Sequence, residues 1–128
     1  MRLSSVSNYW LVNNWMKEVG QNSPDKLSLP TPLRSKLIHE EFHELEEAVT
    51  TGDHLEIAKE AADLLVVVYG LFVEMGVSGD EVFAAVMANN QGKVAHRTVR
   101  DDGKIIVPPE VKARLKKEME VALKEILA

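Results

Sequence analysis

The stretch "HEEFHELEE", residues 39–47, followed after "TTGD" (50–53) by "EAADLLVVVYG", residues 60–70, decides how this chain is read. Taken alone, His39-Glu40-x-x-His43 has the spacing of a zinc protease motif: two imidazoles one helical turn apart, a glutamate between them, and Glu60 about where one zincin class places a third ligand. Placing side chains at about 100° per residue tests that reading. On a helix through this stretch Ile38, Phe42, Leu45 and Val49 define an apolar arc, which Leu33, Leu37 and Ala48 extend, and Glu41 and Glu44 project within the extension. His39 and His43 project on the opposite side with Glu46 and Glu47. The imidazoles face solvent, and the zinc-protease reading is set aside.

The next helix departs from a simple amphipathic pattern in the same way. Ile57, Ala61, Leu64, Leu65 and Val68 form its apolar stripe, while Glu56, Glu60 and Asp63 lie on a flank that continues through Val67 and Gly70. Carboxylates tucked beside apolar surface repel one another and take up protons unless a positive charge holds them ionised. The pairs Glu41/Glu44 and Glu60/Asp63 each have i,i+3 spacing, so each presents both carboxylates on one helix face. The short "TTGD" link makes the two helices antiparallel neighbours, and four oxygen ligands then converge between them. Oxygen-only ligation suits Mg²⁺ or Mn²⁺ better than zinc.

The rest of the composition limits the alternatives. A chain of 128 residues suits a single domain, residues 1–128, with a modest core. It has no cysteine, which excludes disulfides and thiolate metal sites and fits a reducing cytoplasm. Leu11-Val12 is interrupted at once by Asn13-Asn14, so no signal-peptide core is expected. The apolar run Leu64–Val73 is about half as long as a membrane-spanning helix requires, and no membrane partner is expected. A net charge of −5 argues against nucleic-acid binding. That charge is unevenly placed: residues 39–63 carry nine acids against the lone base Lys59, whereas Lys93, Arg97, Arg100 and Lys104 outnumber Asp101 and Asp102 in residues 93–104.

Periodicity predicts five helices and no convincing strand, an all-α bundle. The first runs from about Ser7 to Val19 and stops at Gly20; Thr31 caps a second, with Pro32 in its first turn, reaching about Val49. Asp53 caps a third, to about Met75 and Gly76. Ser78 with Glu81 forms a capping box for a fourth, to about Asn90, and "RDDGK" (100–104) is a turn. Pro108-Pro109 opens an amphipathic helix from Glu110 to Leu127, within about 108–128, whose Val111, Leu115, Met119, Leu123 and Ile126 repeat at helical spacing.

Glu40-Glu41-x-x-Glu44, followed by Glu60-x-x-Asp63, resembles the EExxE…ExxD signature of the MazG-like, all-α nucleoside triphosphate pyrophosphohydrolases. The resemblance spans about Trp10 to Lys104 and takes in "VFAAVMANNQGK" (82–93) and the basic loop "RDDGK". It implies a four- to five-helix bundle that cleaves a (d)NTP to (d)NMP and pyrophosphate. It also implies Glu41, Glu44, Glu60 and Asp63 as ligands of Mg²⁺, with Mn²⁺ as a substitute and more than one ion in the site. By the same resemblance Glu40 orients or deprotonates the attacking water, and Asn90, Lys93, Arg97 and Lys104 contact the substrate. Members of the resembled family assemble as dimers or tetramers, so a homo-oligomer is expected. Many relatives carry a Phe-His pair on the first helix where this chain has Trp15-Met16, and the base preference does not transfer.

The residues of that first helix suggest their own base pocket. Trp15 offers a stacking surface and Asn13 and Asn14 offer amides able to donate and accept together, with a lean toward guanine. Two rivals lie in other classes. A non-catalytic interaction bundle would use the same core; a di-iron carboxylate protein would need a second Glu-x-x-His beside Glu40-x-x-His43, and none exists.

Overall fold

The computed structural model describes residues 6–128. The fold is all-α, with helices α1 (Asn8–Glu18), α2 (Pro32–Thr51), α3 (His54–Met75), α4 (Gly79–Gly92) and α5 (Pro109–Leu127). A 3-10 turn, Val94–His96, and two short strands, β1 (Thr98–Val99) and β2 (Ile105–Ile106), lie between α4 and α5. The chain forms two compact units, one ending at Gly79 and the other Asp80–Ala128.

In the first unit α3 packs against both α1 and α2. Ser7 caps α1 through its side chain, accepting from the Trp10 amide at 3.0 Å, and Gly20 takes φ +75° just beyond its end. Gly52, at φ +71°, ends α2, and the Asp53 carboxylate at once accepts from the Leu55 amide at 3.0 Å to start α3. So tight a reversal leaves α2 and α3 antiparallel: Arg34 meets Glu74 far from the link, and Glu41 meets Glu60 and Asp63 nearer to it. Met16 and Val73 are the largest fully buried side chains; with Val12 they form the apolar core, against which Tyr9 and Tyr69 pack.

The helical faces differ from the expected apolar arcs. Phe42 and Val49 are about half exposed, and the buried side of α2 runs instead through Arg34, Leu37, Ile38, Glu41, Leu45 and Ala48. On α3 the flank expected beside the core is the buried side: Glu60, Gly70, Val73 and Glu74 are buried, while Leu65 is exposed. Arg34 and Glu74 lie on these buried sides: Arg34 Nε donates to Glu74 Oε2 at 2.8 Å with both side chains buried, so the charged flanks of the two helices meet there. Thr31 starts α2 without a side-chain cap, and its hydroxyl donates to Glu74 Oε1 at 2.7 Å.

In the second unit Leu115 is the buried residue of α5 and lies against Gly92 at the end of α4. The segment expected to hold a turn alone is a small hairpin, with Thr98 paired to Ile106 and Val99 to Ile105. Its four β-branched residues suit extended backbone, but two residues a side are too few to display a strand period. Gly103, at φ +90°, closes the turn, while the Asp102 carboxylate accepts from Arg100 Nε at 2.8 Å and from the Lys104 amide at 3.2 Å. Those donors hold Asp102 below the usual carboxylate range.

Removing one member of a buried, hydrogen-bonded pair strands the other charge. Glu74→Ala is therefore expected to lower the unfolding free energy by about 3–5 kcal/mol, read by urea denaturation followed by far-UV circular dichroism.

Candidate active site

The α2–α3 seam presents a cluster of acids. One carboxylate oxygen each from Glu41, Glu60 and Asp63 lies within 4.8 Å of the others. Glu60 is buried, and Glu60 Oε2 and Glu41 Oε2 are both enclosed without a hydrogen-bond partner. An unpaired buried carboxylate oxygen is costly, and two in one cluster need a proton or a positive group to offset them. Lys59 supplies part of it: its ammonium reaches Glu60 Oε1 at 3.0 Å and Asp63 Oδ2 at 3.3 Å, and these contacts raise its pKa. Lys59 stays largely exposed and meets neither enclosed oxygen, which leaves an all-oxygen donor set able to hold a divalent metal ion.

Glu44 stands at the solvent edge of the cluster. A side-chain hydrogen bond with Glu60 and then the charge of Glu41 push its carboxyl above the ordinary 4.5. Glu40, the next residue before Glu41, is exposed and outside the three-residue cluster. His39 is exposed too, and the His43 imidazole lies 3.1 Å from Glu47 Oε1 on the solvent side of α2.

Asp63 and Glu41 also line a cleft of about 380 Å³ with Trp15, Met16, Gln21, Arg34, Leu37, Val66 and Val67. Trp15 is about half exposed there, an indole available to a ligand. Asn13 and Asn14 are absent from this lining, and the Asn13 side-chain oxygen accepts from the Ser23 hydroxyl at 2.8 Å. Arg34 and Gln21 were not signalled by the sequence pattern; the clue lay in Gly70, which sits on α3 against the Arg34 guanidinium where any Cβ would collide. Lys59 was legible as the lone base within the acidic run, but not its part in the cluster.

Within the second unit Lys93, Arg100, Lys104 and Lys112 surround a basic cavity of about 370 Å³ with Ile105, Ile106 and Val107. Lys93 and Lys104 thus meet as the basic loop suggested, joined by Lys112 from α5. Arg97 is turned back on the Val94 carbonyl, and the Asn90 amide reaches Met87 Sδ at 3.9 Å.

Residues 14–90 match the family model of phosphoribosyl-ATP pyrophosphohydrolase. The chain belongs to this family. As a phosphoribosyl-ATP pyrophosphohydrolase family member it falls within the MazG-like all-α superfamily that its acidic motifs resemble, and its chemistry is pyrophosphohydrolysis at a nucleotide phosphoanhydride. The match includes all of α2 and α3, and with them every acid of the cluster. No curated protein matches the chain. Among the described residues no single helix is long and apolar enough to cross a membrane.

Like-charge repulsion within the cluster gives two tests on metal-free protein. Glu60→Gln is expected to raise the melting temperature in EDTA and to abolish the upward shift that Mn²⁺ produces in the parent. Because Glu44 binds its proton more tightly in the folded state, the parent's stability in EDTA is expected to fall as pH rises through the window just above 4.5. Thermal melts across pH, with and without Mn²⁺, measure both.

Proposed function

We propose that this protein hydrolyses a (d)NTP to (d)NMP and pyrophosphate with Mg²⁺ or Mn²⁺, the base being unresolved with a lean toward guanine. The observation that carries the reading is the pair of enclosed, unpartnered oxygens on Glu41 and Glu60 beside Asp63, a donor set suited to a hard cation. Glu41, Glu60 and Asp63, with Glu44 at the edge, hold the metal, and more than one ion is expected where so many carboxylates meet. Bound there, the cation supplies charge neutralisation for the phosphate oxygens. Glu40, exposed at the adjoining position, orients the attacking water and receives its proton. Trp15 stacks on the base from the wall of the cleft. Asn90, Lys93, Arg97 and Lys104 contact the triphosphate, a role that the basic cavity around Lys93 and Lys104 supports for those two.

The whole chain, residues 1–128, acts as one catalytic domain on free nucleotides, in the reducing cytoplasm that the lack of cysteine suits. The family's name makes phosphoribosyl-ATP the second substrate to weigh. A screen of all common NTPs and dNTPs with phosphoribosyl-ATP, read as pyrophosphate release, decides between them. Activity is expected only with Mg²⁺ or Mn²⁺. Glu41→Gln and Asp63→Asn are expected to lower kcat/KM by at least about 100-fold, the scale on which even the outer partners of a metal act, with helical content unchanged; full activity in both would sink the metal assignment.

The protein works as a homo-oligomer, a dimer or tetramer. Support comes from the apolar surface left open on α1 and α3, where Trp10, Leu11 and Leu65 are exposed around a very small core. Analytical sedimentation at micromolar concentration is expected to show a species of at least twice 14.3 kDa; a monomer alone refutes it.

A further inference from the structure

The basic cavity of the second unit has the charge of an anion site. Lys93, Arg100, Lys104 and Lys112 surround its volume of about 370 Å³, and Ile105, Ile106 and Val107 form an apolar wall. The charge of Arg100 is already answered: its Nε donates to Asp102 at 2.8 Å, and a terminal nitrogen meets the second oxygen of that carboxylate. The lysines are not answered. Elsewhere in this unit Lys116 lies 4.0 Å from Glu120, but among the described residues no carboxylate pairs with the Lys93, Lys104 or Lys112 ammonium. Charges of one sign gathered in a concave site with a low-dielectric wall concentrate their field on a counter-ion.

Three separate elements bring the lysines together. Lys93 follows the last residue of α4 and is partly buried. Lys104 ends the hairpin turn, where its amide donates to Asp102 at 3.2 Å and its carbonyl accepts from the Arg100 amide at 2.8 Å. Lys112 stands in the first turn of α5, the end at which the helix dipole disfavours a cation and favours an anion. Glu110, the acid of that turn, does not line the cavity, so a bound anion is what suits both the lysine and the helix. Lys112 also lies beyond the matched residues 14–90 and beyond the stretch that resembles other pyrophosphohydrolases.

We propose that the unit Asp80–Ala128 binds a polyphosphate chain without a metal, and that Lys112 is a phosphate contact there beside Lys93 and Lys104. That the anion is a phosphate chain rests on the nucleotide-hydrolase reading; that the cavity attracts an anion does not. Orthophosphate and a nucleoside monophosphate carry at most about two negative charges at neutral pH, fewer than the three lysines present. Linked phosphates carry more charge and spread their oxygens across the cavity. Lysine suits such a ligand, because an ammonium donates in three directions and needs no planar partner. Pyrophosphate and the triphosphate of a nucleotide share this chemistry.

Calorimetric titration of the whole protein, stripped of metal on a chelating resin and held in low-salt buffer, tests the site apart from catalysis. Pyrophosphate is expected to bind saturably and at least about tenfold more tightly than orthophosphate, the scale of one charge-assisted hydrogen bond. Lys112→Gln is expected to weaken pyrophosphate by about tenfold. Lys116→Gln removes the same formal charge one turn farther along α5 and is expected to change affinity by less than about twofold, as a screened surface charge does. ATP matching pyrophosphate, with AMP far weaker, assigns the site to a nucleotide's triphosphate; pyrophosphate tighter than ATP assigns it to the free product, and either result supports the proposal. No saturable pyrophosphate binding, orthophosphate as tight as pyrophosphate, or equal losses in the Lys112 and Lys116 variants would each overturn it. Metal-free pyrophosphate binding by a protein that hydrolyses no nucleotide would overturn the hydrolase reading and leave the anion site standing; nucleotide hydrolysis without such binding would do the reverse.

Discussion

The first unit is organised around a conflict between burial and charge along the α2–α3 seam. A seam between antiparallel helices is ordinarily filled by apolar side chains, and here its length carries Arg34, Glu41, Glu60, Asp63 and Glu74 instead. The two ends resolve the conflict differently. At one end opposite charges meet, as Arg34 and Glu74 neutralise each other. At the other, like charges meet, with only the exposed Lys59 to offset them, and two carboxylate oxygens remain enclosed and unpaired. A helix pair that stabilised only itself would gain from apolar residues at these positions; the acids form an oxygen donor set able to hold a cation.

The neutralised end gives the other its geometry. The face of α2 and α3 that buries the Arg34–Glu74 bond is also the face that carries Glu41 and Glu60 inward and Phe42 and Leu65 outward. Gly70 and Thr31 serve the same bond, one by leaving space for the guanidinium and one by holding the second oxygen of Glu74. A site built on two helices joined by a tight link is more rigid than one on loops, which suits chemistry that depends on holding phosphate and water in line. The second unit is of a different character. Its cations Lys93, just after α4, Arg100 and Lys104, in the turn of the hairpin, and Lys112, in the first turn of α5, share one cavity.

Much of this was legible in the chain itself. Helix positions follow from apolar spacing and from stop and start signals such as Gly52-Asp53, which act locally and need no partner. The acidic motif was legible for the same reason: i,i+3 spacing places two carboxylates on one helix face wherever that helix sits. The opposition of His39 and His43 to the cluster likewise follows from a single helix's geometry, and so the zinc-protease spacing could be rejected before any packing was known. The family match over residues 14–90 spans that same ordered pattern.

Packing decided what lies beyond one helix. The buried side of α2 includes Arg34, an ordinary charged residue by sequence, bonded to Glu74 forty positions away; no local rule counts a buried ion pair as part of an apolar stripe. Packing also placed Trp15, Gln21 and Arg34 on the wall beside Glu41 and Asp63, while the Asn13 side-chain oxygen accepts from Ser23 and does not line the cleft. The hairpin of Thr98–Val99 and Ile105–Ile106 was hidden for another reason, since a strand of two residues has no period to detect and exists through its cross-strand partner. The sequence by itself thus determined the helices and the acids that crown them, because both obey geometry within one turn. Only the tertiary structure decided which faces meet, because burying a charge depends on a partner that sequence spacing does not reveal.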